Sequence, residues 1–268
     1  MAEAAETRPE EIIEERRGRG GSILWLTFNR PEARNALIWT MYARLQRIFD
    51  TVNDDRSVRC VVLTGGPTAF VAGTDISQFK AFETEQQALD YEAQGDRLFT
   101  ALEMVRAPVI AAIQGPCTGA GFALAGCSDL RIGSPSARMG IPIARTLGNC
   151  LSTPNYTRFA ALMGPGRLKE MIFLAKLYSA SEALAIGLLS EVTPDEEGFQ
   201  ARVEEIATRL TEYAPLTLWA TKEAVRRITC RMSPEEGSDI ITRVYMSADF
   251  REGVDAFLNK RKPDWKGE

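Results

Sequence analysis

Two short stretches of this chain are apolar at nearly every position and stop at turn-forming residues. Residues 58–64 (VRCVVLT) end at Gly-Gly-Pro, and residues 109–113 (VIAAI) end at Gln-Gly-Pro. Strands with two apolar faces are normally buried on both sides, and helices between successive strands favour parallel pairing. The sequence therefore predicts an α/β protein built on a buried, parallel sheet.

The remaining pattern divides the chain into a mixed body and a helical end. Residues 22–28 (SILWLTF) predict a strand, and the residues after it carry the three- and four-residue spacing of an amphipathic helix: Ile38, Met41, Leu45, Ile48, Phe49 and Val52. The end carries two helical stripes, namely Phe199, Val203, Ile206, Leu210 and Tyr213, then Leu218, Val225 and Ile228. An acidic turn at 194–198 marks the boundary. We expect residues 1–198 to form the core, with 1–20 as a flexible leader, and 199–268 to form a helical region.

The chain contains no histidine, which restricts its chemistry. Serine or cysteine nucleophiles activated by histidine are excluded, and so is histidine-ligated zinc. Any general acid or base must be Asp, Glu, Lys, Tyr, Cys or water.

Charge and cysteine usage indicate where such a protein works. A net charge of -4 and a pI near 5.3 argue against nucleic-acid partners and attraction to anionic membranes. The apolar stretch 108–127 is broken by prolines and glycines, so we expect no membrane span. Five widely spaced cysteines without a CxxC pair indicate free thiols, and the acidic N-terminus lacks a hydrophobic signal segment. We expect a cytoplasmic protein.

Two glycine-containing turns are candidates for a catalytic site. One lies in residues 70–76 (FVAGTDI) after the first buried strand, and the other lies in residues 118–124 (TGAGFAL) after the second. Each joins a strand to a helix start, where backbone amides lack partners and favour negative charge. Two amides aimed at one point form an oxyanion hole, worth about 3 kcal/mol per donor to a transition state. The alternative for each turn is that glycine merely packs a helix on a strand.

Four segments in this order resemble the crotonase (enoyl-CoA hydratase/isomerase) superfamily: LTFNRPEARNAL (26–37), AFVAGTDI (69–76), PVIAAIQGPCTGAGFALAGCSDLRIGS (108–134) and FLNKRKPDWKG (257–267). The resemblance covers nearly the whole chain from about residue 20. It implies an α/β, crotonase-like spiral of ββα units followed by a C-terminal helical trimerisation region.

The same resemblance implies a homotrimer or hexamer, and the apolar stripes after Phe199 are consistent with such an assembly. The substrate would be an acyl-CoA thioester, with coenzyme A part of the substrate and no other cofactor bound. The amides of Thr74 and Ala120 would hold the thioester oxygen. The coenzyme A channel would be lined by Ala33, Arg34, Ala36, Ala72, Asp75 and Ile76, with Lys260 reaching a phosphate. A guanidinium such as that of Arg34 suits phosphate groups, although a solvated loop cation is the alternative.

The chain departs from the family pattern at both catalytic glutamates. In the hydratases one glutamate stands three residues after the oxyanion glycine, where this chain has Ala123. The other follows a proline in an FGxPE-type segment, which here reads MGIPI and ends at Ile143. Alanine and isoleucine cannot exchange protons, so the ordinary mechanism does not carry over. Asp75 and Tyr156 are the candidate replacement acids or bases, although Asp75 also suits an N-cap.

Three hypotheses follow for the function. The first is an enzyme resembling enoyl-CoA hydratase/isomerase that stabilises a thioester enolate in a two-amide oxyanion hole. The second is another enolate reaction, such as acyl-CoA decarboxylation, in which the substrate supplies the electron pair. The alternatives for Arg145, the unusual cation in residues 143–150, are that it binds a carboxylate or a polar acyl tail, or that it lies outside the pocket in an ion pair. The third is a non-catalytic acyl-CoA-binding protein.

Overall fold

The computed structural model describes residues 10–81, 85–229, 247–249, 252, 256, 259 and 261–268. Ten strands form two sheets in this part of the chain. They are β1 (Ile12–Arg17), β2 (Ile23–Phe28), β3 (Cys60–Thr64), β4 (Val71–Ala72), β5 (Val109–Ile113), β6 (Pro116–Thr118), β7 (Leu130–Gly133), β8 (Arg138–Gly140), β9 (Tyr178–Ser179) and β10 (Glu191–Val192).

Nine α-helices connect or follow these strands within the described ranges. They are α1 (Trp39–Thr51), α2 (Glu85–Glu103), α3 (Ala120–Cys127), α4 (Ile143–Thr146), α5 (Thr153–Met163), α6 (Pro165–Phe173), α7 (Ala180–Ala185), α8 (Phe199–Thr211) and α9 (Pro215–Thr229). Short 3-10 turns occur at Arg19–Gly21, Pro31–Ala33, Val52–Asp54 and Ile76–Ala81.

The larger sheet has the order β1-β2-β3-β5-β7-β10, and all of its pairs are parallel except β1 with β2. Alternate side chains of its central strands enter two separate cores, as the two-residue period of a strand requires. On β3, Val61 and Leu63 face the helices α1, α2 and α3, whereas Cys60 and Val62 face α8. The predicted parallel sheet, buried on both faces, is confirmed.

The smaller sheet has the order β4-β6-β8-β9. Each of β3, β5 and β7 in the larger sheet is followed by a strand of the smaller sheet, namely β4, β6 and β8, and then by a helix. The strands β4, β6 and β8 are parallel to one another. This repetition is the predicted spiral of ββα units, and the fold class is confirmed.

The N-terminal segment corrects one prediction. Residues 12–17 fall within the expected flexible leader, yet they form β1, an antiparallel edge strand in which Ile12 pairs with Phe28 and Arg17 with Ile23. Ile12 is fully buried, while the Glu and Arg side chains that follow it stay on the outside. These charges made the segment look like a leader, but charged residues are also what protects an exposed sheet edge from further pairing.

The first helix of the C-terminal region packs against the larger sheet. Phe199, Val203 and Ala207 of α8 are buried against the rear face of the larger sheet, and Trp25 of β2 lies in the same core. The predicted boundary at residue 198 therefore separates two segments of the sequence but not two separate cores, because α8 packs in the core formed by strands within residues 1–198.

The following helix is tied to the sheet by a salt bridge. The Lys222 ammonium on α9 lies 2.8 Å from the Asp129 carboxylate, which also accepts the Val109 amide at 2.7 Å. Asp129 thereby joins α9 to the start of a central strand.

No helix among the described residues is both long and apolar enough to span a membrane.

Candidate active site

Three parallel strands of the smaller sheet end at one edge, and this edge carries both predicted turns. Ala72 at the end of β4 is paired with Thr118 at the end of β6, and Thr118 is paired with Gly140 at the end of β8. Thr74 and Ala120 each stand two positions after these paired residues, so the two turns leave the sheet side by side. The sheet thus brings together two segments that are 46 residues apart in sequence.

The backbone around Thr74 is held from one side. The Leu37 amide donates to Gly73 O and the Asp75 amide donates to Leu37 O, both at 2.8 Å. In a parallel bridge of this kind, the residue flanked by the two hydrogen bonds is Thr74. Its own amide points away from Leu37, to the opposite side. That side is the one on which β6 and its turn lie. The Thr74 N–H donates no hydrogen bond within the described part of the chain.

The Ala120 amide opens helix α3. Ala120 is the first helical residue, and its N-cap, Gly119, offers no side chain to the helix start. The first four amides of a helix have no intrahelical acceptor, and the positive end of the helix dipole lies there. The Thr74 and Ala120 amides are therefore both available at one edge, as the oxyanion-hole hypothesis requires.

Glycine is required where the two turns meet. Gly73 and Gly119 have φ angles of 98° and 54°, in the region that side chains disfavour. A Cβ on Gly119 would lie 3.4 Å from Gly73 Cα. At the second residue of α3, a Cβ on Gly121 would lie 2.1 Å from Val71 O. The glycines thus let the helix start approach β4 more closely than any side chain allows.

The predicted coenzyme A residues gather on one side of the Thr74 turn. Arg34 O accepts the Ala72 amide at 3.1 Å, so the 33–36 loop lies directly against β4. The loop is held by Asn35, a buried residue with φ of 58°, whose side-chain amide donates to Ala69 O at 2.8 Å. Arg34 itself is exposed, whereas Ala33 and Ala36 are half-buried.

Asp75 and Ile76 complete this group. One guanidinium nitrogen of Arg30 donates to Ala36 O, and another lies 3.2 Å from the Asp75 carboxylate. Ile76 is 56% exposed beside them. Lys260, the remaining predicted contact, lies outside the described residues. The channel-lining role of all these residues stays a prediction.

Asp75 is engaged in fixed interactions. Besides Arg30, its carboxylate accepts the Ser77 hydroxyl at 2.7 Å and the Ser77 amide at 3.1 Å. These interactions, chiefly the Ser77 hydroxyl, lower the pKa of Asp75 below its ordinary value. Asp75 begins the 3-10 turn Ile76–Ala81 as an N-cap does. The arrangement suits a permanently ionised structural group. The use of Asp75 as an acid or base stays a prediction.

The two positions that the sequence comparison predicts to replace the family's glutamates are apolar and enclosed. Ala123 on α3 is 5% exposed, and Ile143 at the start of α4 is 7% exposed. Tyr156, the second predicted acid or base, is half-buried on α5 against the main core. Arg145 and Cys150 are exposed, and burial raises the pKa of the Cys117 thiol, which suits packing rather than nucleophilic attack.

A hydroxyl cluster that sequence analysis missed surrounds the Thr74 side chain. Thr74 Oγ1 lies 2.7 Å from the Tyr42 hydroxyl and 3.0 Å from the Tyr91 hydroxyl. The Trp39 ring packs against both tyrosine rings, with centroid distances of 5.8 Å to Tyr42 and 5.5 Å to Tyr91. Burial raises the pKa of both tyrosines, so they remain neutral donors at physiological pH. The cluster fixes the residue whose amide is one of the two candidate donors.

Acidic side chains on α2 lie next to this cluster and were also missed. The Glu92 carboxylate accepts the Ser152 amide at 3.0 Å, and the Asp96 carboxylate accepts the Ser152 hydroxyl at 2.7 Å. Arg158 on α5 lies 3.5 Å from Asp96 and 3.0 Å from the Glu103 carboxylate. Burial raises the pKa of Glu92, with the Asp96 charge adding to the rise. These residues connect α2 to the start of α5.

Sequence signals for the missed groups are weak. Tyr42 lies one position after Met41 on the stripe of α1, and a buried tyrosine needs a partner for its hydroxyl. No local pattern marks Tyr91 or Glu92, because their partners lie 17 and 60 residues away in the chain. Across the described ranges, no three acidic or cysteine side chains are grouped closely enough to hold a metal ion.

Known proteins resemble this chain over nearly its whole length. The family profile described as Enoyl-CoA hydratase/isomerase matches residues 18–268. The Short-chain-enoyl-CoA hydratase of Clostridium acetobutylicum is 33% identical over 246 residues, covering 90% of this chain and 93% of that protein. The Carnitinyl-CoA dehydratase of Proteus mirabilis is 34% identical over 256 residues, covering 92% and 96%. The crystal structure of an enoyl-CoA hydratase/carnithine racemase from Magnetospirillum magneticum has a TM-score of 0.89 and 31% identity, covering 97% of each chain.

The fixed state of Asp75 predicts a pH-dependent contribution to stability. Its pKa is lowered in the folded protein from an ordinary value of 3.8, so the ionised form is favoured by folding. This contribution is fully present above that value and is lost as the pH falls through the lower, folded pKa. We expect Asp75→Asn to lower the free energy of unfolding at pH 7 by about 1 kcal/mol or less, as for a partly exposed ion pair. The difference should shrink below about pH 4.

Urea unfolding at pH 7 and pH 3 measures this effect, with the natural protein as the reference at each pH. A difference that is as large at pH 3 as at pH 7 would contradict the ionised state assigned to Asp75.

Proposed function

Because the chain belongs to the enoyl-CoA hydratase/isomerase family, we propose that it binds an acyl-CoA thioester and stabilises its enolate between the amides of Thr74 and Ala120. The observation that carries this proposal is the register of the smaller sheet. Thr74 and Ala120 each stand two positions after a paired strand end, and neither amide donates within the described part of the chain. Two donors aimed at one oxygen contribute about 3 kcal/mol each to the transition state.

The proposal extends to the nucleotide end of the substrate. The 33–36 loop, Ala72, Asp75 and Ile76 lie beside the Thr74 turn and would line the coenzyme A channel. Arg34 is exposed on that loop, where its guanidinium can meet a phosphate without a desolvation cost. Lys260 is retained as a second candidate phosphate contact from the C-terminal segment.

The reaction catalysed on the bound thioester differs from ordinary hydration in this proposal. Hydration of an enoyl thioester needs one group that activates water and another that delivers a proton to the α-carbon. Ala123 and Ile143 stand where the family's two glutamates stand and can do neither. We therefore expect very slow hydration of crotonyl-CoA and favour an enolate reaction that requires fewer protein acids and bases.

Two alternative functions are also consistent with the absence of carboxylates at Ala123 and Ile143. Decarboxylation needs no base, because the departing carboxylate leaves its electron pair on the α-carbon, and the exposed Arg145 on α4 offers a carboxylate contact. An acyl-CoA-binding protein without turnover is the other alternative. Kinetics with crotonyl-CoA and a panel of carboxylated thioesters separates the enzymatic readings, and binding without turnover favours the last.

The oxyanion hole is tested with two variants at one position. Thr74→Pro removes the amide hydrogen together with the hydroxyl, whereas Thr74→Val removes the hydroxyl alone and is the matched control. An oxygen held by two donors shows a lowered carbonyl stretching frequency. We expect the infrared band of carbonyl-labelled crotonyl-CoA to shift on binding to the natural protein and to Thr74→Val, and to lose much of that shift on Thr74→Pro. The rate of any reaction should fall roughly a hundredfold or more in Thr74→Pro.

Folding of both variants is checked by circular dichroism, and binding by calorimetry. An unchanged infrared shift in correctly folded Thr74→Pro would show that the Thr74 amide does not hold the thioester oxygen.

The missing glutamates are tested by restoring them. Ala123→Glu combined with Ile143→Glu should raise crotonyl-CoA hydration above the very low natural rate, since positioned acid/base groups contribute about a hundredfold to ten-thousandfold each. Both sites are buried, so an unpaired carboxylate there costs several kcal/mol or stays protonated. The measurement is loss of the enoyl thioester absorbance, with each single variant as a control and circular dichroism as the check on folding. Hydration by the natural protein at ordinary hydratase rates would contradict the interpretation of these positions.

We further infer a trimer or a hexamer. Val225 and Ile228 on α9 are 53% and 74% exposed, and Tyr213 in the connection between α8 and α9 is 44% exposed; a second copy would cover such apolar side chains. Light scattering at micromolar concentration should give three or six times the chain mass of 29.6 kDa. A protein that remains monomeric at that concentration would remove this inference.

A further inference from the structure

We propose that Glu92 is the residue that exchanges a proton with the α-carbon of the bound acyl group. The inference rests on the proposed function, because it takes the thioester oxygen to lie between the Thr74 and Ala120 amides. It assigns a catalytic carboxylate to α2, an element that carries neither of the positions where the family's glutamates stand.

The direction of α2 relative to α5 is fixed by contacts at both ends. Ser152, the N-cap of α5, donates its amide to Glu92, while Arg158 further along α5 binds Glu103 at the end of α2. The two helices therefore run side by side in the same direction, with Glu92 at the level where α5 begins.

Helix α3 runs in that direction as well. The Phe122 and Phe159 rings meet edge to face with centroids 5.2 Å apart. One turn later, a Cβ on Gly126 would lie 2.9 Å from the same Phe159 ring and 3.7 Å from a Leu162 methyl carbon, so the contact moves forward along both helices. The starts of α2, α3 and α5 consequently point toward the same side of the molecule.

The common direction of the three helices allows Glu92 to be located relative to the candidate oxyanion hole along the helix axes. Ser152 precedes Phe159 by seven residues, or about 10 Å of helix, and Ala120 precedes Phe122 by two residues, or about 3 Å. The Glu92 carboxylate, bound to the Ser152 amide, therefore lies beyond the Ala120 amide along the helix axes. The offset is about 7 Å when Phe122 is taken as level with Phe159, and about 1.5 Å when Gly126 is, since the Phe159 ring contacts both. In the proposed complex, an acyl chain whose thioester oxygen is bound to Ala120 would extend toward this side.

The neighbouring residue of α2 supplies an independent anchor. The Tyr91 hydroxyl lies 3.0 Å from Thr74 Oγ1, so the same turn of α2 touches the second residue of the hole. Adjacent positions of one helix thus contact Thr74 on one side and Ser152 on the other. This turn of α2 is therefore tied both to the candidate site at Thr74 and to the start of α5.

The interactions of Glu92 differ from those of the acids around it. Asp75 is paired with Arg30, and Asp96 is paired with Arg158. Glu92 forms no ion pair with the described part of the chain, and its Oε1 atom accepts no hydrogen bond there, while Oε2 accepts the Ser152 amide. Burial raises its pKa toward the range in which a carboxyl group both takes up and returns a proton.

The step balances without another reactant. The Glu92 carboxylate takes the α-proton, and the electron pair of the broken C–H bond forms the enolate, whose negative oxygen the two amides hold. Return of the proton to the same carbon restores the thioester, and return to the γ-carbon of a β,γ-unsaturated chain's dienolate gives the α,β isomer. One carboxylate suffices for both outcomes, whereas hydration requires two proton-transfer groups.

The test uses butyryl-CoA as the probe, in D₂O with the full-length protein. Exchange of the α-hydrogens is followed by mass spectrometry, and binding is measured separately by calorimetry. Glu92→Gln retains the shape of the side chain and an acceptor for the Ser152 amide, and Glu92→Ala is the second variant. Asp90→Asn is the matched control, because Asp90 is an exposed carboxylate on the same helix that accepts only the Gln86 side chain among described residues.

We expect the natural protein and Asp90→Asn to exchange the α-hydrogens at the same rate. The rate should fall about a hundredfold or more in Glu92→Gln and Glu92→Ala, while the dissociation constant for butyryl-CoA changes little. Undiminished exchange in either folded Glu92 variant would overturn the inference and leave the proposed function standing. Binding without exchange by the natural protein would also overturn it and would favour the binding-protein reading. Absence of binding by the natural protein would instead overturn the proposed function.

Discussion

The site depends on the exact parallel register between β4 and β6. This register sets the ends of the two strands level, so that two backbone amides from distant segments come to one edge. The contact is possible only because Gly73 and Gly119 adopt positive φ angles and approach each other without side chains. A side chain at Gly121 would meet Val71 O and push helix α3 away. In the proposed function, backbone geometry rather than a reactive side chain would therefore hold the oxyanion.

The rest of the fold supports that edge. The larger sheet is buried on both faces, by α1, α2 and α3 on one side and by α8 on the other. Since the smaller sheet is formed by strands that directly follow those of the larger sheet, its register is set by a rigid core. The hydroxyl cluster of Tyr42, Thr74 and Tyr91 then fixes the residue that supplies one of the amides. Preorganised donors of this kind need no rearrangement when charge develops.

Much of this arrangement was predictable because it depends on residues that lie close together in the sequence. Continuous apolar runs followed by glycine turns indicated the buried parallel strands and the two amide-bearing turns at Thr74 and Ala120. The absence of carboxylates at Ala123 and Ile143 was equally visible. These features depend on residues that are neighbours in the chain.

Other features depend on partners that are distant in sequence. The stripe on α8 showed that a face is apolar but not that it covers the rear of the sheet. The charged segment 12–17 lacked an apolar run, yet pairing with β2 makes it a strand. Glu92 has no local signal, because its position follows from its contact with Ser152 and from the common direction of three helices. Local sequence therefore predicts the two turns of the candidate site, whereas the side chains on α2 carry no local signal.

A crystal structure of the natural protein with acetoacetyl-CoA tests the central claim most directly. The account predicts that the thioester oxygen lies within about 3.1 Å of both the Thr74 and the Ala120 nitrogen atoms. A thioester oxygen that faces away from both nitrogens, or a nucleotide bound on another face of the molecule, would contradict it.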